Sequence, residues 1–406
     1  MDKLKLGIIG LGRRGTVMIK ECYAERNDLD IAWICDNDED KLEEMQLFMK
    51  EKGHCPQTTL DYHDILNDSQ VEAVFILSSW ESHVPIAIDA MEAGKAVGME
   101  VGGAYSLRDC YRLVEVQQKT NAFFMMLENV CYGRREMMVL NMVNQGVMGD
   151  IVHCAGGYRH DLREQVANGI ALRHYRLRNY LNRNCDNYPT HALLPIMKVL
   201  GINRKNRMVS LVSVGSCSKG IAEYVNKTGI GKAEIEGKTI AQSDVVTTVI
   251  KCAGGETITL TLDTSLPRYY SRNFEVHGTK GLYVEENDCI FLDSEEMNEN
   301  KDFPKKLYSN ADDFQEKYDH PLWKKALEDG LTGGHGGMDG LITDAFVYCM
   351  KNGLESPIDV YDSVTAMAVT ALSEESIATG LPVAIPDFTN GAWLIRKEQP
   401  NHIYSL

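Results

Sequence analysis

The sequence predicts two joined architectures: an α/β domain on a doubly wound parallel sheet, then an α+β domain on an open, mainly antiparallel sheet. Three observations predict it. Apolar runs alternate with amphipathic segments through residue 127. A Gly10-x-Gly12-x-x-Gly15 turn directly follows the first run. After Gly149 the texture changes to short strands, one pair of them flanking the hairpin signal Ala253-Gly254-Gly255.

Taken in order, the first run (Leu6, Ile8, Ile9) reads as a strand and Thr16–Glu21 as a helix-compatible segment. Between them Gly10 permits a tight turn, Gly12 lets the backbone approach a pyrophosphate, and Gly15 lets helix and strand pack closely. The helix start then offers N–H groups to the phosphates, with Arg14 inside the turn. The second run, Leu29–Cys35, ends at Asp36, where an acid is expected to accept both ribose hydroxyls. Asp36 repels a 2′-phosphate and no Arg follows it, so the expected cofactor is NAD rather than NADP. Further strands are read at Ala73–Leu77, Ala96–Met99 and Phe123–Leu127, with helices over Pro85–Ala93 and Leu107–Lys119. In such a sheet the ligand lies at the carboxyl ends of the strands. The loops there carry Trp80 and His83, then Glu100 and Val101 before Gly102-Gly103, then Glu128 and Asn129. His83 is equally readable as a cap for the helix beyond it, and Glu128 as a surface carboxylate.

In the second half, Ile151–Arg159, Met208–Val214, Val245–Cys252, Thr257–Asp263, Arg272–His277 and Asp288–Leu292 read as strands, and Pro189–Leu200 as a helix. Lys219–Thr239 and Asp293–Asp319 are polar and are expected to be loops. Gly333–Gly337 breaks the chain before two helical patterns, Met338–Lys351 and Tyr361–Thr379. The expected division is a nucleotide domain over 1–127 and a substrate domain over 128–406, with the helices of 338–380 packing back on the first.

The bulk composition excludes several classes. A net charge of −16 without a basic run argues against nucleic acid or an anionic membrane surface as partner. No apolar run reaches membrane-spanning length, and the N-terminus enters the first strand without a signal-type apolar stretch. Eleven cysteines scattered without CxxC pairs fit reduced thiols in a cytoplasm and predict no metal site. An open sheet face of the expected kind commonly pairs with a second subunit, so a homo-oligomer is expected.

The order of domains, the Trp80-x-x-His83 loop and the stretch Gly94–Val101 resemble the Gfo/Idh/MocA oxidoreductases. In dehydrogenases of that superfamily the last stretch ends in Glu-Lys-Pro, whose lysine assists catalysis. Here it reads Glu100-Val101-Gly102, so that lysine is missing. A narrower resemblance accounts for the change. Leu127–Val143, His153–Arg163, Tyr188–Ile196, Pro267–Arg272 and Gly333–Asp339 are similar, in the same order, to glycoside hydrolase family 109. Its members are NAD-dependent enzymes best known as α-N-acetylgalactosaminidases. The chain departs from that family at Asn184-Cys185-Asp186-Asn187, where members usually read Asn-Gly-Asn-Leu, and in a shorter segment between Arg163 and Tyr188.

The resemblance implies a small-molecule glycoside as substrate and a redox route to hydrolysis in place of the usual pair of carboxylates. It places His191 and Tyr188, three residues apart on one helical face, at the sugar's C3 hydroxyl. It makes Tyr158 the candidate base at C2, Glu128 an active-site acid, Asn129 a cofactor contact, and Arg176 and Tyr270 substrate contacts. A phenol of ordinary pKa near 10 needs neighbouring positive charge to act as a base, and Arg159, Arg163 and Arg176 are the candidates. Residue by residue, Tyr158 also reads as a core aromatic, and His191 as a buried histidine behind a Pro189-Thr190 cap. Two other readings of the whole chain compete: a sugar or inositol dehydrogenase that releases NADH, and a non-catalytic NAD-bound sensor.

Overall fold

The structure is a computed structural model that describes residues 3–102, 104–294, 306–399 and 401–406. Residue 103 of the loop after the fifth strand, and residues 295–305 of the polar segment Asp293–Asp319, lie outside the described residues.

Among the described residues the first sheet holds β1 (Leu4–Ile9), β2 (Leu29–Cys35), β3 (Gln57–Thr59), β4 (Ala73–Ile76), β5 (Ala96–Met99) and β6 (Phe124–Met126). Their order is β3-β2-β1-β4-β5-β6 and every pairing is parallel. Every residue of β4, β5 and β6 is buried, which is why each reads as an unbroken apolar run without alternation. The order reverses between β1 and β4, the switch point outside which such sheets bind ligands. The expected helix after the glycine turn begins earlier, at Arg13–Met18, and runs on into a π-helical turn, Ile19–Tyr23.

The second sheet holds β7 (Ile151–Arg159), β8 (Met208–Gly215), β9 (Val245–Cys252), β10 (Thr257–Asp263), β11 (Glu275–Gly278), β12 (Gly281–Val284), β13 (Cys289–Leu292) and β14 (Val383–Ala384). Their order is β13-β12-β11-β7-β10-β9-β8-β14. All neighbours are antiparallel except β7 and β10. The alternating burial of β9 follows from its Val246, Thr248, Ile250 and Cys252 side, which faces the core, while Thr247, Val249 and Lys251 face out.

Lys219–Thr239 is not the loop its polarity predicts. It forms the helices Gly220–Thr228 and Lys232–Ile235, because Ile221 and Val225, four residues apart, are both buried on one face. The polar count outweighs that two-residue stripe in a reading by composition. Part of the second polar segment is also ordered, with a 3₁₀ turn at Ala311–Phe314 and a short helix at Gln315–Tyr318.

The chain divides into two compact units: residues 1–132, 326–364 and 399–405, and residues 133–325 and 365–398 with residue 406. In the first unit the helix Met338–Lys351 supplies Phe346, whose ring meets Phe75 of β4 and Phe123 edge-on. The helix Val360–Thr379 crosses the division at residue 364. Among the described residues no helix is long and apolar enough to cross a membrane. All eleven cysteines carry free thiols.

One contact in the second unit fixes where two of the predicted site residues stand. The helix Thr190–Val199 packs on β7 over Gly156, where a Cβ would lie 3.0 Å from both Ala192 Cβ and Ile196 Cδ1. Gly156→Val should therefore push that helix off the strand and cost about 1–3 kcal/mol of stability, measured by urea unfolding. An unchanged midpoint would show that the gap is not needed.

Candidate functional site

The first unit gathers its polar residues at the carboxyl ends of β1, β2, β4, β5 and β6. Gly10 has φ +105°, and a Cβ there would lie 2.6 Å from the Ser78 nitrogen of the loop after β4. Gly15 brings the helix so near the turn that a Cβ would sit 2.0 Å from the Gly10 carbonyl oxygen. At Gly12, by contrast, a Cβ would meet nothing of the protein within 4 Å. Two glycines are thus needed for packing, and the middle one borders free space. That combination fits a pyrophosphate against the backbone. Asp36, just beyond β2, accepts the N–H of Leu11 at 2.6 Å and of Asp38 at 3.1 Å. Its carboxylate is thereby fixed beside the glycine turn with acceptor capacity left for hydroxyls.

Trp80 opens the helix Trp80–Glu92 and is buried, with Gly102 so close that a Cβ would lie 2.5 Å from the indole ring. His83 is buried as well. Its Nε2 lies 3.0 Å from the Ser78 carbonyl oxygen, and burial lowers its pKa, so it stands as a neutral, hydrogen-bonded ring. Val101 donates its N–H to the Glu100 carboxylate at 3.1 Å. Glu128 is fully buried, not a surface carboxylate, and accepts the N–H of Val130 at 3.1 Å.

Arg14, Glu100 and Asn129 meet through a residue to which the sequence alone assigns no role. Asp339, fully buried, accepts two hydrogen bonds from Arg14 at 2.8 and 3.0 Å, one from the Asn129 amide at 2.8 Å, and contacts His335 Nδ1 at 2.7 Å. Arg14 Nε also bonds Glu100 at 2.7 Å. Burial by itself would raise the Asp339 carboxyl, but His335 and Arg14 outweigh it and hold the group below the usual carboxylate range. The same bond to Asp339 raises the His335 pKa against the opposing effect of burial, which favours the imidazolium. The signal for these two residues is the glycine-rich stretch Gly333–Gly337 itself, which reads in isolation as a chain break.

In the second unit Tyr158, Tyr188, His191, Tyr270 and Arg176 come together. Tyr158 is the penultimate residue of β7, and its ring centroid lies 4.4 Å from Tyr188, 5.6 Å from His191 and 6.2 Å from Tyr270. The Tyr188 hydroxyl is 3.4 Å from His191 Nε2. Arg176 is buried with its guanidinium carbon 5.2 Å from the Tyr188 ring centroid, and it couples electrostatically to Tyr158. The other two arginines are engaged elsewhere: Arg159 with Asn273 and Glu286, Arg163 with Asp161. Tyr270 is the most exposed member of the group and Arg272, paired with Glu136 at 2.7 Å, hydrogen-bonds its phenol. His160 also joins this cluster, with Nδ1 3.2 Å from the Tyr158 hydroxyl. It lies two residues along the strand's direction from Tyr158, a spacing that puts both on one side.

Residues 132–395 match the family described as "Glycosyl hydrolase 109, C-terminal domain", and residues 4–127 match "Oxidoreductase family, NAD-binding Rossmann fold". A "Glycosyl hydrolase family 109 protein" of Stenotrophomonas maltophilia is 37% identical over 97% of this chain and 91% of its own length. An "Alpha-N-acetylgalactosaminidase" of Tannerella forsythia is 34% identical over 97% of this chain and 88% of its own. The chain belongs to glycoside hydrolase family 109. Among solved structures, a levoglucosan dehydrogenase in complex with NADH and L-sorbose superimposes with a TM-score of 0.70 at 18% identity, covering 95% of this chain and all of that one. At that identity the likeness is one of fold. This family 109 chain is an NAD-dependent glycosidase, and NAD is its cofactor.

The departure from the family pattern before Tyr188 has a physical consequence. Asp186 is buried and accepts the Tyr188 N–H, while its own N–H reaches Ser373 Oγ at 2.8 Å. Burial pushes its carboxyl up to about 7, with the Tyr188 N–H opposing. A pKa above the unfolded value near 4 means that the native state holds the extra proton. Stability therefore falls as pH rises from about 4 to about 7, by no more than about 4 kcal/mol. Asp186→Asn should remove that slope and stabilise the protein above pH 7, checked by urea unfolding across the pH range.

Proposed function

We propose that the chain hydrolyses an N-acetylgalactosaminide or a related hexoside by oxidising C3, eliminating across C1–C2, adding water and reducing C3 again. The observation that carries the reading is the cluster of Tyr158, Tyr188 and His191, two phenols and an imidazole in mutual contact, with the buried Arg176 guanidinium against the Tyr188 ring. The relatives named as α-N-acetylgalactosaminidases support the sugar, and Val101 in place of a catalytic lysine speaks against plain dehydrogenation.

Bound NAD⁺ supplies the redox chemistry, accepting the C3 hydrogen and giving it back. Gly10, Gly12, Gly15 and Arg14 hold its phosphates, Asp36 the ribose hydroxyls, and Trp80, His83, Glu100, Val101 and Asn129 line its channel. His191 takes the C3 hydroxyl proton through Tyr188, whose hydroxyl is within reach of its Nε2. The resulting 3-ketone acidifies the C2 proton. Tyr158 removes it as the phenolate, a form that the Arg176 charge favours. The C1–O bond then breaks, and water adds to the enone. Glu128 serves as an acid on the dinucleotide side, and Arg176 and Tyr270 hold the sugar. The set of free thiols suits a reducing cytoplasm, and the open sheet face suits a homo-oligomer.

His191→Ala should keep the fold and NAD binding but lose roughly 10²–10⁴-fold in turnover of a nitrophenyl N-acetylgalactosaminide. Near-normal turnover would return His191 to a packing role. Hydrolysis in D₂O should place deuterium at C2 of the released sugar, leave C3 protiated and build up no NADH. A product without deuterium at C2 would exclude elimination, and accumulating NADH would instead identify a dehydrogenase.

A further inference from the structure

We propose that Asp339 is a positioning residue for the dinucleotide, acting through Arg14 and Asn129. The inference rests on the NAD site and not on the glycoside chemistry. The three turns it links follow strands that are not all neighbours. Arg14 follows β1, Asn129 follows β6, and Glu100, joined to Arg14, follows β5. In the sheet β1 and β6 are separated by β4 and β5, so no ladder bond sets the spacing of their loops. The Asp339 carboxylate does, because its Oδ1 takes both Arg14 and the Asn129 amide while Oδ2 takes the other Arg14 nitrogen.

The anchor is itself held. The Asp339 carbonyl oxygen accepts from Thr343 Oγ1 at 2.7 Å and from Cys22 Sγ at 3.6 Å. A Cβ on Gly334 would lie 2.9 Å from Asp339 Oδ2, so the glycine loop closes directly over the carboxylate. Sealed from water, a charge so placed is satisfied only by its protein partners. Without it Arg14 retains Glu100 as its one carboxylate and is free to swing, and the Asn129 amide loses its acceptor. Both then meet the cofactor in the wrong geometry.

The test measures NAD⁺ binding by quenching of tryptophan fluorescence, with no sugar present, so failure of the glycosidase reading leaves it intact. Asp339→Asn should weaken binding roughly 10- to 100-fold, as loss of an orienting partner does elsewhere. If Asp339 works through Arg14, the same change in an Arg14→Gln background should cost less than about threefold, since two members of one network do not add. Equal affinity of Asp339→Asn and wild type, or fully additive losses, would overturn the proposal. Should Asp339→Asn fail to fold by circular dichroism, Arg14→Lys decides. It keeps the charge but not the two-pronged bond, and should weaken NAD⁺ binding while the protein stays folded by circular dichroism. A folded Arg14→Lys protein with wild-type affinity would also overturn it.

Discussion

A carboxylate removed from water has to find its counter-charges within hydrogen-bonding reach, and in the first unit that requirement falls on Asp339. Four short bonds to Arg14, Asn129 and His335 satisfy it. Removing one partner of such a buried pair typically costs about 3–5 kcal/mol, so the arrangement is all or nothing. The glycine turn, the loop after β5 and the turn after β6 are consequently one object. A sheet alone does not supply that rigidity, because its loops begin where its ladder ends.

The second unit solves a different problem. In the proposed mechanism a phenol acts as base, and a phenol of ordinary pKa needs neighbouring positive charge to do so. Close packing of the helix Thr190–Val199 over Gly156 draws Tyr188 and His191 to Tyr158, and Arg176 enters as the buried cation. The aromatic rings exclude water with little rotamer freedom to lose, and the guanidinium lies against one of them.

Much of this was legible in the residues. The glycine spacing, the acid after β2 and the apolar runs of the first sheet are local signals, and the strands Ile151–Arg159, Val245–Cys252 and Thr257–Asp263 have the boundaries their patterns predict. The illegible parts are those that depend on distant partners. β14, with two residues, has meaning only beside β8, and β12 only beside β11 and β13. Ile221 and Val225 are outvoted by polar neighbours until a core appears beneath them. Of the three arginines that the sequence offers Tyr158, only the fold distinguishes Arg176, because the other two find carboxylates close by. Asp339 and His335 lie more than 320 positions from Arg14, a separation no periodicity can bridge.

The first unit is made of three stretches, the last of them residues 399–405. The Met126 N–H bonds the Ile358 carbonyl, and the Tyr132 hydroxyl bonds the Tyr404 carbonyl. During synthesis, therefore, residues 1–132 are made before the second unit begins, and their unit is completed only after residues 133–325 have been made. Its sheet can form early, yet Phe346, Asp339 and residues 399–405 arrive only after most of the second unit has been made. Until those segments are made, the rings of Phe75 and Phe123 lack Phe346 and the Met126 N–H lacks its acceptor.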